Sequence, residues 1–464
     1  MNLRWALVGV VLAAGCGLAV AQADYALAGA AMPAAPGDAE IRAALSRVSA
    51  ERIRGTVERL VKFGNRSTLS SVEPDLPAGT GVTAAAEWIY GQFEEIGKGC
   101  GGCLEVKRDS FVKEPGRRVA KPTPLTNVYA VLRGSDPVAA KRMYLVTGHY
   151  DSRASRNEDT HGAAPGANDD ASGVAVSLET ARVLAGLKLP ATLVFVAVAG
   201  EEQGLYGSGH LAELAKKEGW ELEGVLNNDI VGGNTTPGDT LQRKDVVRVF
   251  SEGVSSTVTP EQMRRLLALG QMEDGPSREL ARAVADVARS YFGDGSFQPV
   301  LETRPDRYLR GGDHLSFNEQ GFTAVRLTEW REDFHHQHQD VRVEGGVQFG
   351  DLPQYVDYEY VARVARLNAA TLVTLAKGAG VPTEVKLKTD DLENTTTLTW
   401  KAPASPVAGY HYEVVWRETT AADWQRVLEV EGEKETVTVP VSKDNVIFGV
   451  RTVVDGHRGI AVAP

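Results

Sequence analysis

Tyr144 to Ser152 read YLVTGHYDS, and Ala191 to Gly204 read ATLVFVAVAGEEQG. Each begins as an apolar run without a wet face, which is how a strand covered on both sides reads. Each then stops on groups foreign to a core: His149 and Asp151 in the first, Glu201 and Glu202 in the second. In a parallel sheet wrapped by helices, functional side chains sit where strands end, at the carboxyl edge. That placement accounts for a strand closing on a histidine and a carboxylate.

Reading outward, short runs rich in Val, Leu and Tyr (NVYAVLRG, RMYLVTGHY, GVLNNDIVG, VRVFSEG, FTAVRLTE) alternate with helical patterns at 172–187, 208–218 and 277–292. In the first of these helices Val174, Leu178, Ala181 and Ala185 share one face, and in the third Leu280, Val284, Val287 and Tyr291 do. Two earlier helices are expected from AERIRGTVERLVKFG and, from Thr80, TGVTAAAEWIYGQFEEIGKG; YEYVARVARLNAATLVTLAKG closes the unit. The fold class is α/β: a three-layer αβα sandwich around a mostly parallel, mixed sheet. Gly232 to Gly275 reads as a polar, loop-like insertion that would border the pocket.

Beyond the linker AGVPTEV the helical period disappears. TTTLTWKAP, GYHYEVVWRET, WQRVLEVEG, ETVTVPV and VIFGVRTVVDG are strands at short intervals, the pattern of an all-β sandwich. The placement of Trp400, Tyr412 and Trp416 resembles fibronectin type III modules. The expected organisation is a signal peptide at 1–23, a catalytic domain at 38–378 and this β-sandwich at 382–464. No catalytic cluster falls in the last, which reads as a spacer or a surface or polymer contact. Its deletion after Pro382 is expected to leave turnover nearly intact.

The chain has 464 residues and a net charge of −11. That length exceeds what one core usually serves, and the charge argues against nucleic acid or an anionic membrane as partner. Arg4, the apolar run from Ala6 to Ala14 and the small-residue site Ala21-Gln22-Ala23 make a secretory signal cut after Ala23, so the mature chain is exported, periplasmic or extracellular, without a transmembrane segment. The alternative is lipidation at Cys16 in AAGC. Cys100 and Cys103 of KGCGGCLEV read most simply as a local disulfide in an oxidising compartment; a zinc site lacks further cysteines.

Four further loops offer metal-type ligands: Asp169 in PGANDDASG, Glu202 beside Glu201, Asp229 in NNDIVGG and His336 in FHHQHQDV. Carboxylates gathered at one sheet edge repel each other strongly, and a bound dication removes that cost. Two histidines, two terminal carboxylates and one carboxylate able to bridge make a two-metal set.

With those motifs in that order, the segment from about Ile53 to Lys377 resembles the dizinc exopeptidase family of aminopeptidase Y and bacterial leucyl aminopeptidase, which includes glutamate carboxypeptidase II. The resemblance implies two Zn²⁺ ions: His149 and Asp229 match the ligands of one, Glu202 and His336 those of the other, and Asp169 the bridge. Glu201 matches the general base and Asp151 the partner that orients His149. Of the histidines in HHQHQD, His336 is chosen because relatives place the ligand four residues before an aspartate, here Asp340; His338 is the alternative. His335 stands where some relatives carry a tyrosine that helps hold the oxyanion. Relatives also imply a cis peptide at Asp169–Asp170, while His314 of GGDHLSF reads as structural.

The implied activity is hydrolysis of peptides from the amino terminus by an activated water. The alternatives are a carboxypeptidase gripping the α-carboxylate with Arg304, Arg307, Arg310 or Arg326, a one-zinc glutaminyl cyclase, and a non-catalytic receptor-like relative. The pocket's side-chain preference and the oligomeric state are not legible.

Overall fold

The computed structural model describes residues 28–464, so the signal-peptide and lipidation readings at Arg4, Cys16 and Ala21–Ala23 lie outside the described residues. Eight strands form one mixed sheet in the order Leu104–Lys113, Thr123–Leu132, Thr192–Val198, Arg142–His149, Glu221–Asn228, Ala324–Thr328, Val246–Phe250, Gln298–Glu302. The four strands from Thr192–Val198 to Ala324–Thr328 run parallel, and the first two and the Val246–Phe250 strand join antiparallel.

The apolar runs in the central strands follow from burial on both faces. Leu193, Phe195 and Ala197 pack under helices Ala50–Val61, Ala171–Leu184 and Tyr358–Lys377. Their neighbours Val194, Val196 and Val198 face the opposite layer with Leu211, Ala212 and Phe317. A period-2 strand buried twice has no polar face to show. The edge strands Leu104–Lys113 and Gln298–Glu302 carry exposed or half-buried positions and little alternation, so sequence patterning did not mark them.

The Gly232–Gly275 insertion is more ordered than a loop: it contributes the Val246–Phe250 strand and the helix Pro260–Leu269, capped by a reciprocal Thr259–Gln262 box. That helix buries none of its residues, which is why its sequence looks solvated.

Two antiparallel sheets end the chain. Thr383–Leu387, Thr396–Lys401 and Thr436–Val439 form one; Arg426–Val430, His411–Glu418, Val446–Val454 and His457–Arg458 form the other. They share a core in which Trp400 meets Tyr412 edge to face at 5.1 Å. The linker reading of Pro382 to Val385 is corrected in part, since Thr383–Leu387 is already a strand. An N-terminal strand, Ala30–Ala31, adds antiparallel to Arg426–Val430, so both ends of the described chain meet in this sheet.

These sheets are not tethered loosely. Arg451 and Arg458 reach Asp286 of the helix Pro276–Tyr291 at 3.0 and 3.4 Å, and both also pair with Glu413. Arg417 pairs with Asp274, and the Trp424 indole N–H donates to Glu279 at 3.1 Å. All of these charged groups are buried. Removing one side of a buried pair leaves an uncompensated charge and costs about 3–5 kcal/mol. The expectation that deletion after Pro382 leaves turnover nearly intact is therefore replaced. The truncated chain should melt well below the full one or fail to accumulate as soluble protein, and equal melting temperatures would sink this claim.

Candidate metal centre

Three neighbouring parallel strands deliver the site. His149 is the last residue of Arg142–His149, Asp229 directly follows Glu221–Asn228, and Glu201 and Glu202 lie in the turn after Thr192–Val198. Asp169 arrives from another direction, just ahead of the helix Ala171–Leu184. Glycines let that helix come close: a Cβ on Gly148 would lie 2.3 Å from the Gly173 carbonyl carbon, and one on Gly173 would lie 2.1 Å from the Asn228 carbonyl oxygen. The peptide between Asp169 and Asp170 is cis, as the resemblance implied.

Two sets of donors converge. His149, Glu201 and Asp229 each offer an atom within 4.8 Å of the others, and so do Asp169, Glu202 and His338. Asp169 stands between the sets: its Oδ1 is 3.1 Å from His149 Nε2 and its Oδ2 is 2.9 Å from His338 Nε2. Glu202 Oε2 lies 3.0 Å from the same His338 nitrogen.

His336 is not in this set. Its ring stacks on Tyr355 at 3.9 Å, and its Nδ1 lies 3.9 Å from Asp333. The side chains of Gln337 and His338 reach Asp169, and the backbone takes the left-handed φ of 55° at His338, while His336 turns to Tyr355. Where the resemblance pointed to His336, the structure instead brings His338, two residues before Asp340, to Asp169 and Glu202. His335 packs edge-on against Phe349 at 5.1 Å, and its side chain is largely exposed.

Supporting groups hold the ligands. Asp151 Oδ1 accepts the Glu201 backbone N–H and its Oδ2 that of Glu202, both at 3.2 Å, while its Oδ1 is 3.5 Å from His149 Nδ1. It thus orients the glutamate pair as well as the histidine. Asp170, which the sequence did not single out, caps the following helix and accepts the backbone N–H groups of His149 at 3.0 Å and Ile230 at 3.3 Å. Asp351, also missed, accepts the N–H groups of Asn168 at 2.9 Å and Asp169 at 2.7 Å. The DD pair was a visible signal for Asp170, whereas Asp351 sits far along the chain in a loop without a motif. Buried His314 bonds the Pro305 carbonyl at 2.7 Å and holds that loop.

The electrostatics are those of a site suited to a bound cation. Burial, then Asp229 and Glu202, push Glu201 well above the usual carboxylate range against the pull of His149. Burial disfavours the charged His338 ring, yet Glu202 and Asp169 outweigh it and lift its pKa to about 10. Burial would also raise Asp169, but His338 and His149 hold it well below the ordinary range. Opposed shifts of this kind follow from crowding carboxylates and imidazoles in a buried site, and a bound cation would relieve that crowding. Glu202 Oε1 and the Nε2 atoms of His149 and His338 are buried without a hydrogen-bond partner among the described residues. Near-contact out of hydrogen-bond geometry is what donors aimed at a common ion show.

The ligands open into a cavity of about 360 Å³ whose walls include Arg118, Arg153, Arg307 and Arg310, and no residue of the Gly232–Gly275 insertion. Of the four arginines read as carboxylate grips, Arg307 and Arg310 line this wall. Arg326 lies behind it, buried, with Nη2 2.9 Å from Asp229 Oδ1 and Nη1 3.2 Å from Asp306. Arg304 stacks over Tyr308. A larger cleft of about 880 Å³, beside Trp88 and Cys100, contains none of the clustered donors.

A family model described as Peptidase family M28 matches residues 127–344. A probable zinc metalloprotease of Leptosphaeria maculans is 42% identical over 92% of this chain and 96% of its own length. Another from Pyricularia oryzae is 44% identical over 92% of this chain and 84% of its own. Among solved structures, LapB of Legionella pneumophila superposes with a TM-score of 0.51 at 18% identity, covering 76% of this chain and 79% of LapB. The LapA aminopeptidase of the same organism superposes at 0.50 and 18% identity, covering 74% and 76%. At that identity the likeness concerns the fold, whereas the curated relatives extend along nearly the whole chain. The chain belongs to peptidase family M28 and is a peptidase.

Proposed function

We propose that the protein is a dizinc exopeptidase that removes residues from the amino terminus of peptides. The observation that carries this reading is the pair of donor triads that meet at the two oxygens of Asp169, with Asp169, Glu201, Glu202, Asp229 and His338 lining one cavity. His149 and Asp229 would hold one zinc, Glu202 and His338 the other, and Asp169 would bridge them. When bound, such a pair supplies Lewis acidity that polarises the scissile carbonyl and makes a water acidic near neutral pH.

Glu201 then works on the proton. Its backbone is pinned by Asp151, and its side chain lies beside His149 and Asp229, so its carboxylate can take a proton from the attacking water and hand it to the leaving amine. Asp151 keeps His149 and both glutamates in register. The carboxylates of Asp169, Glu201, Glu202 and Asp229 at the floor of the cavity favour a protonated α-amine. The disulfide between Cys100 and Cys103, a bond that persists in oxidising compartments, supports the reading of an exported protein. The C-terminal sheets are read as a fibronectin type III-like module that contacts a surface or polymer.

The carboxypeptidase reading is favoured by one observation, the arginines on the cavity wall. Zinc analysis with aminoacyl anilides and N-acetylated dipeptides separates the two. About two zinc ions per chain, with anilide hydrolysis and no cleavage of blocked dipeptides, is the expected result. Cleavage confined to blocked dipeptides would replace the aminopeptidase by a carboxypeptidase.

A further inference from the structure

The four carboxylates of the cavity all belong to the metal and proton-transfer set, while its remaining charged lining is cationic and only Leu205 and Leu309 are large apolar groups. The arginines are not equally engaged. Arg307 is fully committed: Nε donates to Asp306 at 2.9 Å, Nη1 to Glu332 at 3.0 Å and Nη2 to the Gly311 carbonyl at 2.9 Å. It is structural. Arg310 makes one such bond, from Nη1 to Glu332 at 2.6 Å. Exposed Arg118 makes one, from Nη1 to the Glu202 carbonyl at 3.2 Å. Arg153 donates only through Nε, to the Ala154 carbonyl at 3.4 Å, and its nearest anion is Glu202 Oε2 at 4.0 Å.

Glu202 cannot serve both a zinc ion and Arg153 at full strength. Once its charge is committed to metal, Arg153 and Arg118 have no carboxylate of their own among the described residues. We infer that this peptidase selects substrates with a carboxylate beside the scissile bond, gripped by Arg153 and Arg118 together with Arg310, which lines the same cavity. The inference rests on the exopeptidase reading and deepens it by naming the charge of the substrate: the arginines take an anion next to the metal-binding floor. A carboxylate between guanidinium forks accepts charge-assisted, bidentate hydrogen bonds, which a neutral amide cannot match. That carboxylate comes either from an acidic terminal side chain or from the free α-carboxylate of a dipeptide.

Two substrate pairs distinguish these sources. Glu-anilide against Gln-anilide isolates the side chain, and Ala-Ala against Ala-Ala-amide isolates the terminal carboxylate. The zinc-loaded wild type should show kcat/KM at least about tenfold higher for the anionic member of one pair. Arg153→Gln, alone and with Arg118→Gln, should collapse that ratio towards one at unchanged zinc content. Calorimetric binding of glutamate against glutamine, and of the two dipeptides to Glu201→Gln protein, gives a readout free of turnover, with the anionic member again about tenfold tighter. Equal kcat/KM within both pairs in an active enzyme would overturn the inference and leave the exopeptidase reading standing. No hydrolysis of any substrate by zinc-loaded protein would defeat that reading, and the binding arm would still decide the arginine wall: tighter binding of the anions upholds it, equal binding ends it.

Discussion

Glu201→Gln should retain about two zinc ions and lose on the order of 10²-fold or more in kcat, whereas Glu202→Gln should lose metal and activity together. The neighbours start from one rigid anchor, since Asp151 receives both backbone N–H groups. From there they diverge: Glu202 reaches His338 at 3.0 Å, while Glu201 turns to His149 and Asp229. An amide keeps the shape of Glu201 and cannot accept a proton. Because Glu201 also lies within ligand distance of His149 and Asp229, metal analysis is the deciding measurement. Loss of zinc from Glu201→Gln with retention in Glu202→Gln would mean that their roles are exchanged.

The second large effect separates the histidines of one loop. His338→Ala removes a donor facing both Asp169 and Glu202, so one zinc ion should be lost and kcat/KM should fall by about 10²-fold or more. His336→Ala removes a ring stacked on Tyr355, an interaction of about 0.5–1.5 kcal/mol. It should lower the melting temperature slightly and leave zinc content intact. Zinc stoichiometry of the two purified variants tests the assignment directly, and the opposite pattern would restore His336 as the ligand.

The buried acids around the centre act through position. Asp170 and Asp351 are both buried, and each ties a ligand-bearing loop by accepting backbone N–H groups. Burial pushes Asp351 up to about 7, so holding it as an acceptor costs stability. Such a cost at a metal site serves the geometry of Asp169, whose N–H it receives.

The amino-acid sequence by itself determined the three-layer fold and most of the centre. Strands such as Thr192–Val198 are apolar on both faces, and the polar groups that follow them have nowhere to go but the sheet edge. His149, Asp169, Glu202 and Asp229 were legible for that reason, each being fixed by a strand end or by the helix start next to one. Tertiary structure alone decided what loops and distant segments do. Which of His336 and His338 meets the donors turns on the path of an irregular loop, left-handed at His338, and no periodicity records such a path. The tie between the C-terminal sheets and the Pro276–Tyr291 helix was invisible because arginines that look solvated in sequence are buried only once Asp286, Asp274 and Glu413 meet them in space. Arg118 and Arg153 likewise stand far from Arg310 in the chain, and they share a wall only because the sheet edge gathers their loops above the same ligands.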